Sequence, residues 1–258
     1  MTLRLAHLSD LHFGGEAIDA VEAAPEALAA FKPSLTLITG DVTLSGRNSE
    51  FRSAAAWLAR LPGPRLVTPG NHDTPYWDLL QRLTAPFDRY VRHIGPVEAS
   101  TFDGPGLVAR TLNSARGVQA RWNWSRGALA MDRLRRIDWR SPSPAPLRLF
   151  ACHHPLLHLA GAPVEGGVAN ARDVLAHLAA TGVELILSGH EHMPFVRRLP
   201  GGPTVGWAVG AGTLSRRLRG SPPGFTTVLV EPAAFEITAL AWTGERFEPW
   251  RTWRASRG

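Results

Sequence analysis

The chain has 258 residues, 44% of them hydrophobic and 19% charged, with a formal net charge of +6. That is enough apolar material for a sizeable core, and it excludes a disordered or low-complexity chain. A single cysteine, Cys152, excludes a disulfide framework and a thiolate zinc cluster, and no run approaches the roughly 20 apolar residues that span a bilayer.

Residues 3–9 form a short apolar run that reads as a buried strand and ends at Asp10. Residues 17–31 are alanine-rich with apolar positions at helical spacing, and Lys32-Pro33 stops that helix. A second strand at 35–39 closes on Gly40-Asp41, and a helix at 49–61 follows with Asn48 or Ser49 as its cap. A third strand at 65–68 runs into Pro69-Gly70-Asn71-His72-Asp73. Strands that alternate with helices predict βαβ units and a mainly parallel sheet. Next come a predicted helix at 77–91, strands near 100–102 and 108–113, and a helix at 126–139, before Pro142, Pro144 and Pro146 mark a linker. A strand at 147–152 ends in His153-His154-Pro155, and a helix at 170–180 leads to a strand at 184–187 that ends in Gly189-His190-Glu191-His192. The stretches 204–209, 224–230, 235–242 and 247–253 are strand-like with turns between, which predicts a second, largely antiparallel sheet near the C-terminus. The whole reads as one domain over residues 1–258, at a length common for single α/β units.

The polar residues fall where the strands stop. Asp10-Leu11-His12, Gly40-Asp41, Gly70-Asn71-His72-Asp73, His153-His154 and Gly189-His190-Glu191-His192 each follow an apolar strand. The carboxyl ends of strands in an open α/β sheet face one crevice, so these clusters are expected to converge. Imidazole and carboxylate without thiolate suit Mn, Fe, Zn or Ni. Residues two apart on an extended strand end point the same way, which pairs Asp10 with His12 and His190 with His192. Seven ligands exceed one ion and match two that share a bridging carboxylate. Two ions about 3.5–4 Å apart clamp a phosphoryl group and activate the water between them. Asp and Asn also cap helices, but chance caps do not fall on five strand ends.

Asp-x-His, Gly-Asp, Gly-Asn-His-Asp, a lone His and Gly-His-x-His, in that order over residues 10 to 192, resemble the motif set of calcineurin-like metallophosphoesterases. The resemblance implies a four-layer α/β/β/α sandwich of two mixed sheets. It also implies two metal ions, Mn, Fe or Zn. Asp10, His12, Asp41 and His192 would hold one; Asp41, Asn71, His153 and His190 would hold the other, with Asp41 bridging. His72 would face the phosphate and assist the leaving group, with Asp73 orienting it. Ser-Asp-Leu-His at the start, His-His-Pro at the fourth motif, Leu112-Asn113-Ser114, and Gly212 to Gly224 leading into a strand look most like small bacterial class III cyclic nucleotide phosphodiesterases. The implied reaction is hydrolysis of a small phosphodiester, a 3',5'-cyclic nucleotide first, by a metal-bound hydroxide. Glycerophosphodiesterase, phosphomonoesterase, DNA exonuclease and a non-catalytic scaffold are the rivals, in falling order.

The remaining residues read more plainly. Lys32 is the sole lysine and the arginines are scattered, so a nucleic-acid groove is not expected as a partner. Arg121, Trp122, Trp124 and Arg126 either contact substrate or belong to a cap loop, and Arg216, Arg217 and Arg219 face either the cleft or solvent. His154 either lines the pocket or packs. His7, His93, His158 and His177 read as ordinary histidines, and Cys152 as a small core residue. Without a leader segment at the N-terminus or a spanning helix, the expectation is a cytoplasmic protein with no membrane partner, its oligomeric state open, a homodimer included.

Overall fold

Strands that are apolar on both faces need cover on both faces, and four layers supply it. The computed structural model describes residues 3–118, 125–141, 143–144, 146–157, 167–200 and 206–257. In chain order the strands are β1 (Leu3–Leu8), β2 (Leu35–Thr39), β3 (Arg65–Thr68), β4 (Thr101–Gly104), β5 (Leu107–Thr111), β6 (Leu147–Ala151), β7 (Leu185–Ser188), β8 (Phe195–Arg198), β9 (Trp207–Gly210), β10 (Gly224–Val230), β11 (Ala234–Trp242) and β12 (Phe247–Ser256). The α-helices are α1 (Ile18–Phe31), α2 (Asn48–Leu58), α3 (Leu79–Thr84), α4 (Asp88–His93), α5 (Met131–Arg135) and α6 (Ala171–Ala180).

One sheet runs β12-β11-β10-β1-β2-β3 and the other β4-β5-β6-β7-β9-β8. Both are mixed: β1, β2 and β3 are parallel, as are β5, β6, β7 and β9, and antiparallel strands flank each parallel block. Alternate residues of a strand serve two layers. Leu5, Leu37, Leu149 and Leu187 enter the core between the sheets. Ala6 and Ile38 pack under α1 and α2 with Leu28 and Phe51, whereas Phe150 and Ile186 pack under α6 with Val174 and Leu178. Both parallel blocks end on the same side, which sets the clusters after β1, β2, β3, β6 and β7 at one edge.

Four expectations change. The C-terminal strands do not build a sheet of their own. β10 pairs antiparallel with β1, Leu3 opposite Val230, so this ribbon extends the first sheet while the middle of the chain builds the second. The helix expected at 77–91 is two short helices, α3 and α4. Pro86 lacks an N–H and pushes its predecessor out of the helical region, and Ala85 sits at φ −148, ψ 62. The helix expected at 126–139 shrinks to α5, because the preceding backbone is engaged elsewhere: Ala128 N–H donates to Ser114 O and Leu129 N–H to Asn170 Oδ1. Strand β8 was not expected at all, and it adds antiparallel to β9. Of the stretch 204–209, positions 204 and 205 lie outside the described residues, as does Pro142.

Candidate metal centre

The loops after β1 and β2 run side by side, with Asp10 N–H on Gly40 O and His12 N–H on Asp41 O, both 3.0 Å. Asp10, His12, Asp41, His190 and His192 all take left-handed backbone, with φ of 53, 47, 51, 70 and 54°. That conformation costs a non-glycine residue about 1–3 kcal/mol, and five such residues together mark a site the surrounding structure over-determines. It also corrects the pairing argument. Asp10 and His12 do not share a face of an extended strand; each is turned individually, just past the strand end. Gly40, at φ +84, has no room for a side chain: a Cβ there would lie 2.7 Å from both Gly70 N and His153 Nδ1.

The side chains meet in two sets. In the first, Asp10 Oδ1 lies 3.1 Å from His192 Nε2 and 3.9 Å from His12 Nε2, and the two Nε2 atoms are 3.2 Å apart. In the second, Asn71 Oδ1 is 3.1 Å from both His153 Nε2 and His190 Nδ1, which are 3.2 Å from each other. Asp41 joins them, its Oδ2 3.8 Å from His12 Nε2 and 3.4 Å from His153 Nε2. Donors about 2.0–2.2 Å from a common cation are separated by distances of this order. Asp10 Oδ1 is buried without a hydrogen bond, which costs free energy unless a cation meets it. The residues therefore fit two cations. Their outer atoms are tied back: His12 Nδ1, His153 Nδ1 and His192 Nδ1 face the carbonyls of Thr43, Thr39 and Arg217 at 3.3, 2.7 and 2.6 Å, which aims each Nε2 inward. Asp10 Oδ2 accepts from His190 N–H, and Asp41 Oδ1 from His72 N–H.

The electrostatics of the cluster call for positive charge. Burial pushes the Asp10 and Asp41 carboxyls up, yet the imidazoles around them, His192 and His153 foremost, hold both below the usual range. Burial lowers His153, but Asp41 and Asp10 outweigh it and raise it to about 9. Burial keeps His12 well below its ordinary value and His190 at about 3.

His72 stands at the margin, its ring edge-on to that of His12 with centroids 4.8 Å apart. Its Nδ1 lies 2.7 Å from Leu44 O, and an Arg217 guanidinium N–H reaches Nε2 at 2.8 Å. Burial and then that guanidinium lower its pKa, which leaves it neutral. Asp73 does not orient this ring. Its carboxylate accepts from the N–H groups of Val42, Thr43 and Gly70 and from Thr43 Oγ1, bracing the loops that carry Asp41 and Asn71. Burial and Asp41 push it up to about 7 against those donors.

Of the three arginines left open, Arg217 and Arg219 face the site and Arg216 is exposed; Arg219 donates to His190 O at 2.7 Å. Their reach to His72 and His190 spans loops and has no periodic signature, although the run Arg216-Arg217-Leu218-Arg219 is visible. His154 lies with His153 and His190, but Ser114 Oγ meets its Nδ1 at 2.9 Å and its Nε2 donates to Ser125 O, so both nitrogens are engaged and it packs. Cys152 is a core residue, its thiol pushed up to about 12 by burial. His7 is buried on Thr39 Oγ1, and His93 bonds Asn48 and stacks on Phe51. Arg121, Trp122, Trp124 and His158 lie outside the described residues.

The model of the family described as calcineurin-like phosphoesterase matches residues 3–194. A probable cyclic nucleotide phosphodiesterase of Synechococcus sp. is 26% identical over 208 residues, covering 76% of each chain. Among solved structures, a dimetal phosphatase from Danio rerio superposes with a TM-score of 0.69 at 12% identity, covering 99% of both chains. The purple acid phosphatase PPD1 of yellow lupin superposes at 0.65 and 11% identity, covering 99% of this chain and 54% of the other.

Proposed function

The chain belongs to the calcineurin-like phosphoesterase family and is a metal-dependent phosphoester hydrolase; from that premise we propose that it cleaves a small phosphodiester, a 3',5'-cyclic nucleotide first among candidates. The observation that carries the reading is the pair of ligand sets sharing Asp41, with His72 and Arg217 beside one of them. The name of the Synechococcus relative, a probable cyclic nucleotide phosphodiesterase, supports the substrate class.

In this reading Asp10, His12, Asp41 and His192 hold one ion, and Asp41, Asn71, His153 and His190 the other; Mn, Fe and Zn all suit the donors. Bound cations supply Lewis acidity toward the phosphoryl oxygens and a nucleophilic water at neutral pH. The chain supplies the rest. Left-handed backbone at Asp10, Asp41 and His190 fixes their side chains before substrate arrives. His72 keeps its Nδ1 proton on Leu44 O, so Nε2 is the atom available to the departing oxygen. An arriving phosphate is a stronger partner for the Arg217 guanidinium than neutral Nε2 is. When Arg217 moves onto the phosphate, His72 exchanges a cationic neighbour for an anionic one, its pKa rises, and it serves as the general acid. Asp73 holds the loops rather than the proton.

A kinetic panel with Mn²⁺ tests this: cyclic nucleotides, glycerophosphodiesters, monoesters and single-stranded DNA, with an aryl phosphodiester against the matching monoester. A higher kcat/KM for the diester is expected. A tenfold monoester preference, about 1.4 kcal/mol of transition-state binding, would move the assignment to phosphatase.

A further inference from the structure

Helix α3 is packed inside out. Arg82 is its buried residue, 7% exposed, and donates from Nε to Gly117 O at 2.8 Å. Leu79, Leu80 and Leu83 face solvent, Leu80 at 73%. Just before the helix, Tyr76 and Trp77 are also exposed, Trp77 at 72%, with their rings edge-on and centroids 4.9 Å apart. Arg82 ties the helix to Gly117, whose neighbour Val118 is exposed too, and Leu218 is exposed between Arg217, which reaches His72, and Arg219. Tyr76 N–H bonds Ser45 O, next to the Leu44 carbonyl that holds His72, so the apolar surface borders the mouth of the metal site. A polar anchor under an apolar outer face is the reverse of an ordinary surface helix, and a contiguous exposed apolar patch marks an interaction surface.

The charges around it indicate what it meets. Exposed Arg92 follows in α4, exposed Arg116 precedes the Gly117 that Arg82 holds, and exposed Arg216 precedes Arg217; of the two acids between residues 74 and 93, Asp78 is bound by Arg89 and Asp88 is exposed. A cationic rim repels a second copy of itself and attracts a layer of anionic headgroups, while Trp, Tyr and Leu enter the boundary beneath. We propose that this face docks on an anionic lipid surface, with the mouth of the metal site turned toward it. Among the described residues no helix is long and apolar enough to cross a membrane, and peripheral docking requires none.

Co-sedimentation of the full chain with vesicles of phosphatidylglycerol and phosphatidylcholine, against phosphatidylcholine alone, tests the proposal. Binding to the anionic vesicles, weakened by salt, with a blue shift of tryptophan emission, is expected. The variant carrying Trp77→Ser and Leu80→Ser should lose about tenfold or more in partitioning, at unchanged thermal midpoint and unchanged turnover of a soluble aryl diester. No binding to anionic vesicles, or equal binding by the variant, overturns it. So does a dimer in sedimentation equilibrium that the variant dissolves while vesicles are ignored, since the occupant would then be a second copy. Vesicle binding is read without turnover, so it stands or falls apart from the hydrolytic reading.

Discussion

Around Asp10, His12 and His192 the protein offers two carboxylates, counting the shared Asp41, and both imidazoles lean on backbone carbonyls, those of Thr43 and Arg217. Around Asn71, His153 and His190 it offers one carboxylate, the shared Asp41, a neutral amide and two imidazoles: His153, anchored on the Thr39 carbonyl, and His190, whose Nε2 is buried without a hydrogen bond. A cation is held by charge and by ligands fixed in advance, so on the proposed ligand assignment the first half, with its extra carboxylate, would hold its cation more tightly than the second. His72 and Arg217, the residues proposed to act on the substrate, both stand beside the first half.

The largest effect that sharpens this contrast is His72→Ala. Turnover of a substrate with an alkoxide leaving group should fall about 10²–10⁴-fold, the usual worth of general acid assistance. A p-nitrophenyl diester, whose leaving group needs little protonation, should lose far less, at unchanged metal content. Equal losses on both substrates would falsify the acid role. Arg217→Met comes next, with a fall in kcat/KM of about 10²–10³-fold on both substrates alike, as for removal of a preorganised charge-stabilising donor. Its metal content should hold, because the anchor of His192 is the Arg217 carbonyl and the backbone remains; loss of one ion would mean that the guanidinium supports the first half.

A smaller effect is the pH dependence of the second half. In the cation-free protein His153 is raised to about 9, whereas His190 is pushed down to about 3 and His12 well below its ordinary value. At pH 7 the second half therefore gives up the His153 proton when it takes a cation. Cation affinity of the second half should rise about tenfold per pH unit up to pH 9 and then level off. Calorimetric titration with Mn²⁺ at several pH values reads that slope, and a flat dependence breaks the account. Least affected in activity should be Asp73→Asn. Its carboxylate braces both halves, so stability should drop by about 1–3 kcal/mol in denaturant unfolding, while the dependence on leaving group stays as in the unaltered protein. A change in that dependence would return Asp73 to His72.

The strand ends were legible because an apolar run closed by Gly-Asp or Gly-Asn leaves few readings. The partner of β1 was not: Leu3 meets Val230 across nearly the whole chain, and no local pattern encodes that pairing. The break of α3 from α4 was written in Pro86, whereas the shortness of α5 was not, since its cause lies at Ser114 and Asn170. Asp10 and His12 were paired on a period-two argument, yet left-handed backbone at both residues brings them together. The family resemblance assigned Asp73 to His72, but neighbours in a tight 3-10 turn point apart, and its oxygens end on Val42, Thr43 and Gly70.

The shared carboxylate is the centre of the account, and metal content tests it most directly. Elemental analysis after reconstitution with Mn²⁺ and removal of excess should give two ions per chain in the unaltered protein, close to none in Asp41→Ala, and a preferential loss of one in His12→Ala. One tightly held ion in a fully active protein, or two ions retained by Asp41→Ala, would contradict it.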